Sequence, residues 1–328
     1  MTALRAASWY LPERTVAVAD LPELAGMSGA ERETCLALGI DRVPVDDSLT
    51  ATDLGVRAAR QVLVEAGISA AEVDVLIVVE SRAPRALVAS EATLPQALLG
   101  ADRALSFTVG GLGCTSIVPG LLAARGLLAA DPDLANVLVV HGSKPATPHR
   151  YRHPVTVNGD GGQAVLVARD GPVRIRDILV ETSGKYWDLF RIDYRDLAWA
   201  RWREECTDLP RYSFELAVET RNRLQSLLAQ LLRRNGIRPG DVEHYVSQNL
   251  SAGAFRFYQE ALDLKLADAC SVNLRRYGHL GPNDALLNLY TAMGGGSGLA
   301  VVFNVSPAAS WSAMLVEFGA TTARSHHL

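Results

Sequence analysis

Of the four cysteines in the chain, Cys114 alone sits in a context suited to nucleophilic chemistry. It lies in VGGLGCTSIVPG (Val109–Gly120), after Gly110, Gly111 and Gly113 and directly before an apolar run of helical character. The thiolate is the reactive form of cysteine, and the N–H groups and dipole of a helix N-terminus favour it. Glycines permit a sharp strand-to-helix turn, Thr115 and Ser116 are capping residue types, and Pro119 falls in the first turn, where a missing N–H costs least. A thiolate on such an elbow is a candidate nucleophile for covalent catalysis. A buried structural thiol is the competing reading of the same residue. Cys35, Cys206 and Cys270 have no glycine elbow and read as structural.

Several other chemistries are disfavoured. The cysteines form no CxxC pair and the seven histidines show no HExxH-like spacing, so neither a disulfide framework nor a metal site is expected. The formal charge is −4 and the basic residues are scattered, which gives no footprint for nucleic acid. No apolar stretch approaches the roughly 20 residues that span a bilayer, and the N-terminus does not read as a signal peptide. A cytoplasmic protein with free thiols is the expectation.

The elements around Cys114 alternate. Residues 53–66 carry apolar side chains at helical spacing and stop at Gly67, and VDVLIVVES (Val73–Ser81) reads as a buried strand. A helix near 90–99, the strand ALSFTVGG, the helix after Cys114 to about Ala130, and the strand NVLVVHGS (Asn136–Ser143) follow. GDGGQAVLVARDG (Gly159–Gly171) is a glycine turn entering a further strand. The second half repeats this grammar: AGISAAEVDVLIVVES aligns with NGIRPGDVEHYVSQNL, with Gly67 and Gly236 separated by about half the chain. Two related α/β halves are therefore expected, 1–171 and 172–328, with a site where they meet. The Trp-, Tyr- and Arg-rich region near 177–211 reads as an insertion, serving as a substrate-tunnel or dimer contact, or as a cover over the core.

Taken together and in order, WYLPERTVAVADLPEL, DVLIVVES, GGLGCTSIVPGLLAA, VLVVHGS, GDGGQAVLVAR and SWSAMLVEF resemble ketoacyl-acyl-carrier-protein synthase III, of the thiolase superfamily. The resemblance covers nearly the whole chain. It implies a duplicated, layered αβαβα fold, a homodimer, and an acyl group loaded on Cys114 from a thioester. No cofactor is implied beyond the acyl-coenzyme A or acyl carrier protein that donates the acyl group.

The sequence also departs from that family. Condensing members use Cys, His and Asn, but Gln248 falls where the histidine should be, and Gln cannot take a proton near neutral pH. The turn that should bear the asparagine reads RYGHLGPND, which puts His279 there with Asp284 five residues on. Imidazole is the usual general base and a carboxylate fixes its tautomer, so His279 oriented by Asp284 becomes the expected base. A Cys, His and Asp set resembles the acyltransferase-like branch of the family, found in polyketide and other antibiotic and natural-product pathways. The expected reaction is transfer from Cys114 to a hydroxyl or amine acceptor. The other histidines, His141 among them, read as structural or exposed, with His326 and His327 in a tail.

The family's second oxyanion donor falls at Pro307, which has no N–H; Ala308, or the side chains of Gln248 or Asn249, are the candidate replacements. The family's adenine-stacking pair falls near Glu33 and Ala37, which cannot stack, while Arg152 stands at a phosphate-binding position. This tilts the donor toward a carrier protein or a short thioester. Two alternatives compete. Glu80 stands where hydroxymethylglutaryl-coenzyme A synthase-like relatives carry a catalytic glutamate, which would make the chain a carbon–carbon bond-forming enzyme. A non-enzymatic partner subunit is the other, but such subunits usually lose the cysteine.

Overall fold

A computed structural model describes residues 2–80, 84, 86 and 88–319. Ser81, at the end of the expected strand, and His326 and His327 lie outside the described residues. Among the described residues, nine strands share one mixed sheet: β1 (Thr2–Tyr10), β2 (Val75–Val79), β3 (Leu105–Val109), β4 (Val137–Ser143), β5 (Gly161–Ala168), β6 (Val173–Thr182), β7 (His244–Ser247), β8 (Gly298–Ser306) and β9 (Ser310–Phe318). Their order is β7-β8-β9-β6-β1-β5-β4-β2-β3.

The pairing repeats across the sheet. On one side β2 runs parallel to β4, then β4, β5 and β1 alternate in direction. On the other side β7 runs parallel to β8, then β8, β9 and β6 alternate in the same way. The two sets join through three residue pairs only, Thr2–Leu4 against Val173–Ile175. Where β3 lies parallel beside β2, the second set has a single bridge between Tyr245 and Leu266.

Strands β2, β4 and β5 are buried throughout, so VLIVV, VLVVHGS and GGQAVLVA read as continuous buried runs without alternation. Helix α1 (Ala51–Ala66) covers one face of β1, β4 and β5, and α2 (Ile117–Ala130) packs against the opposite side of β2, β4 and β5 and reaches β6. In the second set, α3 (Ala217–Asn235) lies on β6 and β9, and α4 (Asp284–Met293) on β7 and β8. Both α1 and α3 end at a glycine in the left-handed conformation, Gly67 and Gly236, the aligned pair of the sequence comparison.

Two expectations change here. Gly113–Ala130 is by length and composition apolar enough to cross a membrane, with mean hydropathy 1.4 over 18 residues, although half of it is buried inside the protein. Residues 177–182 of the aromatic and arginine-rich region belong to the sheet strand β6, where Asp177 to Thr182 pair in register with Leu315 to Ser310 of β9. The remainder, 183–211, consists of short turns and a two-stranded ribbon, Phe190–Arg191 with Glu205–Cys206.

Candidate active site

Strand β3 ends at Val109, and the chain turns through Gly110, Gly111 and Gly113 before a single 3₁₀ turn, Gly113–Thr115, leads into α2. Gly113 has φ +55°, and a Cβ there would stand 2.5 Å from Ser306 Oγ. Only glycine satisfies both constraints. The turn sets Cys114 at the start of the helical segment, 5 % exposed. Thr115 and Ser116 do not cap α2. The Thr115 hydroxyl pairs with Ser310 Oγ at 2.5 Å, and Ser116 Oγ accepts from the Leu112 N–H at 3.2 Å, so both tie the elbow down.

His279 approaches from the other half. Its N–H donates to Val157 O and its carbonyl accepts from Gly159 N–H, both at 2.9 Å, which locks the loop against the turn ahead of β5. Its Nε2 lies 3.0 Å from Cys114 Sγ, and its Nδ1–H donates to Asp284 Oδ2 at 2.5 Å. Asp284 opens α4 and is fully buried. Its Oδ2 also accepts from the Asn249 N–H at 3.1 Å, and its Oδ1 accepts from the Leu280 N–H at 2.8 Å. Cys114, His279 and Asp284 are thus brought into one line.

The electrostatics follow from burial and pairing. Burial works against a charged His279, but the charges of Cys114 and Asp284 outweigh it, and the imidazolium is favoured up to about pH 10. Burial pushes the Asp284 carboxyl above the ordinary range, opposed by His279 and the two backbone donors. A buried imidazole between a thiol and a carboxylate is arranged to move one proton along a fixed line.

The site opens into a cavity of about 310 Å³ lined by Glu80, Gly110, Cys114, His141, Arg152, Trp187, Phe190, Glu204, His279 and Pro307, among others. Glu80 and Arg152 therefore share the cavity with Cys114. Arg152 does not present a free charge: it pairs with Glu204 and lies 4.9 Å over the Phe190 ring, with both ion-pair side chains at most 10 % exposed. Glu204 and Phe190 come from 183–211, so part of that segment forms a wall of the site. Removing one member of a buried pair strands the other charge, so Glu204→Gln should lower unfolding free energy by about 3–5 kcal/mol in a urea titration. A loss below about 1 kcal/mol would show the pair to be solvated.

Gln248 and Asn249 are not cavity residues. The Gln248 side chain clips the backbone of Val305, donating to its carbonyl at 2.5 Å and accepting from its N–H at 3.1 Å. The Asn249 side chain donates to Gly278 O and accepts from Asn288 Nδ2. Both are fully buried, so the expectation that they bind substrate or complete an oxyanion hole is corrected: their polar groups are already engaged. Asn249 instead supports the site by holding Asp284. The N–H of Ala308, the other candidate donor, is given to Ser306 Oγ at 3.1 Å, while Pro307 lines the cavity.

His141 was expected to be structural, yet it lines this cavity at the C-terminal end of β4. Two features of the sequence pointed there: a histidine ending a buried strand, and VVES ending its parallel neighbour. Ligands gather at such strand ends in α/β sheets.

Comparisons with known proteins agree with this architecture. No family model matches the chain. A β-ketoacyl-[acyl-carrier-protein] synthase III of Aliarcobacter butzleri (strain RM4018) is 25 % identical over 295 residues, covering 84 % of each chain. Among solved structures, 3-oxoacyl-[acyl-carrier-protein] synthase III from Aquifex aeolicus VF5 superposes with a TM-score of 0.80 at 22 % identity, covering 97 % of this chain and all of the other. The chain thus shares the fold of synthase III and is similar to it in sequence along most of its length. The acyltransferase ChlB3 also shares the fold, with a TM-score of 0.81 at 20 % identity over 97 % of this chain and 98 % of its own. Within this synthase III-like frame, the position expected for a histidine holds Gln248, and the imidazole facing the thiol is His279.

Proposed function

We propose that this synthase III-like enzyme is an acyltransferase: it takes an acyl group from an acyl thioester onto Cys114 and passes it to a hydroxyl or amine acceptor in a natural-product pathway. The observation that carries this reading is the line from Cys114 Sγ to His279 Nε2 and from His279 Nδ1 to Asp284. Such a line moves protons on and off a nucleophile, which is what two successive acyl transfers require. The Cys114 thiolate attacks the thioester carbonyl, and the tetrahedral adduct collapses as the donor thiolate leaves with the proton of the His279 imidazolium. Neutral His279 then takes the proton of the acceptor hydroxyl or amine as its oxygen or nitrogen attacks the acyl-cysteine. Collapse of this second adduct releases the ester or amide and regenerates the Cys114 thiolate beside an imidazolium.

The donor in this reading is an acyl carrier protein or acyl-coenzyme A. The homodimer and the descent of 1–171 and 172–328 from one duplicated unit belong to the same proposal, the latter supported by the repeated strand pairing.

Incubation with acetyl-coenzyme A should add one acetyl mass to the protein, on the peptide carrying Cys114, and Cys114→Ala should take up none. Absence of any adduct with a series of acyl thioesters would overturn the enzyme reading. Glu80, in the same cavity, favours a second reading, carbon–carbon bond formation. Carbon dioxide released from malonyl-coenzyme A by the acylated enzyme would decide for that reading.

A further inference from the structure

His141 is 2 % exposed and takes no part in the proton line. Its Nδ1 lies 3.0 Å from the carbonyl oxygen of Val79. A carbonyl only accepts, so Nδ1 carries the proton. Register explains the contact, because Val78 pairs with Val140 in the parallel strands β2 and β4, which sets Val79 beside His141. Burial lowers the pKa of His141 to about 4, with the nearby His279 charge acting the same way, so the ring is neutral at working pH. A neutral imidazole protonated at Nδ1 leaves Nε2 as a bare acceptor.

That acceptor points into the cavity. No described residue donates to Nε2, and a Cβ added at Gly281 would lie 3.5 Å from it and 3.5 Å from Ser143 Oγ. Gly281, two residues beyond His279, also lines the cavity, so His141 sits against the loop that carries the base. At the end of the adjacent strand β2, Glu80 brings a carboxylate to the same cavity, with Gly110 leaving it room. His141 and Glu80 together make a wall of hydrogen-bond acceptors.

We infer that His141 Nε2 accepts a hydrogen bond from a second donor group, a hydroxyl or amine, on the molecule that receives the acyl group. This inference rests on the acyl-transfer reading and narrows its acceptor class to molecules with a donor beside the reacting group. An acceptor lacking the second donor would forgo the hydrogen bond to the cavity-lining Nε2, and that loss makes His141 a specificity-determining residue.

The test compares 1,2-propanediol with 1-propanol as acceptors for enzyme acetylated with acetyl-coenzyme A, following discharge of Cys114 by intact-protein mass spectrometry. The diol should be preferred by about 10-fold, the worth of one hydrogen bond. His141→Asn keeps a side-chain N–H where Nδ1 donates to Val79 and deletes only the cavity-facing acceptor. On enzyme already acetylated, the preference of this variant should collapse toward one. A preference that survives in His141→Asn, or its absence from the wild type, would overturn the inference. A second measurement needs neither a folded variant nor an acyl-enzyme: with ¹⁵N-histidine-labelled wild type, the His141 Nε2 resonance should shift on adding 1,2-propanediol and hold still with 1-propanol. Failure of Cys114 to acylate would sink the acyl-transfer reading, whereas normal loading with no His141 response would sink this inference alone.

Discussion

Replacing His279 with alanine should leave an enzyme that still acylates Cys114 but discharges it about 10²–10⁴-fold more slowly, the range for losing a positioned general base. The two half-reactions respond differently because His279 does a different job in each. Before acylation it faces a thiolate, and the Cys114 and Asp284 charges favour its proton up to about pH 10 despite burial. Wild-type loading should therefore hold from neutral pH to about pH 9 and fall as pH rises through about 10, where the imidazolium is lost. Acylation then erases the thiolate charge, and the imidazole that delivered its proton to the leaving group becomes a neutral base for the acceptor. In His279→Ala the thiolate forms without a cationic partner, so loading should be slow at neutral pH and rise as the pH is raised. Discharge should not recover, because nothing at that position takes the acceptor's proton. Rapid-quench mass spectrometry of the acyl-enzyme, alongside product formation, separates the two. Discharge within threefold of wild type would mean that another group is the base.

Different parts of this site were legible in the sequence for different reasons. Cys114 was legible locally, because glycines before a helical run leave few places for the thiol to go. His279 was not, since 165 residues separate it from Cys114 and no spacing rule spans that distance. It emerged from the turn GHLGPND set against the pattern of a family that puts its site there. Several strands stood out as buried apolar runs, and the aligned Gly67 and Gly236 raised the expectation of two halves. Side-chain direction was what the sequence withheld. Gln248 stands at a site position in the chain, yet its amide matches the N–H and C=O of Val305 and turns away from the cavity. Thr115 and Ser116 are capping residue types, but Ser310 and the Leu112 N–H compete for their hydroxyls and win. His141 was passed over because a histidine in VLVVHGS looks like one more buried strand residue; only the register of β2 against β4 shows which ring nitrogen is engaged and which is free to face the site.

Asp284→Asn should reduce acyl discharge by about 10⁴-fold, the loss seen when a triad carboxylate becomes an amide. The argument is one of counting donors. Three N–H groups converge on the two carboxylate oxygens: His279 Nδ1–H and the Asn249 N–H on Oδ2, and the Leu280 N–H on Oδ1. An asparagine has one oxygen and an NH₂, so one of those positions must now oppose donor to donor. If the NH₂ faces His279, the imidazole accepts at Nδ1 and carries its proton on Nε2. It then meets Cys114 as a donor and cannot take a proton from the acceptor. If the NH₂ faces Leu280, His279 keeps its tautomer but a buried backbone N–H is left unpaired, at about 1–3 kcal/mol. Either way one buried backbone N–H loses its partner, Asn249 in the first case and Leu280 in the second, so urea stability falls in both and the discharge rate separates them: it drops in the first and is largely kept in the second. The first is expected, because the ring can change tautomer without moving an atom and the Asn249 contact it gives up is the longer of the two backbone bonds, 3.1 Å against 2.8 Å. A variant that discharges within tenfold of wild type would show Asp284 to be only the residue that opens that helix.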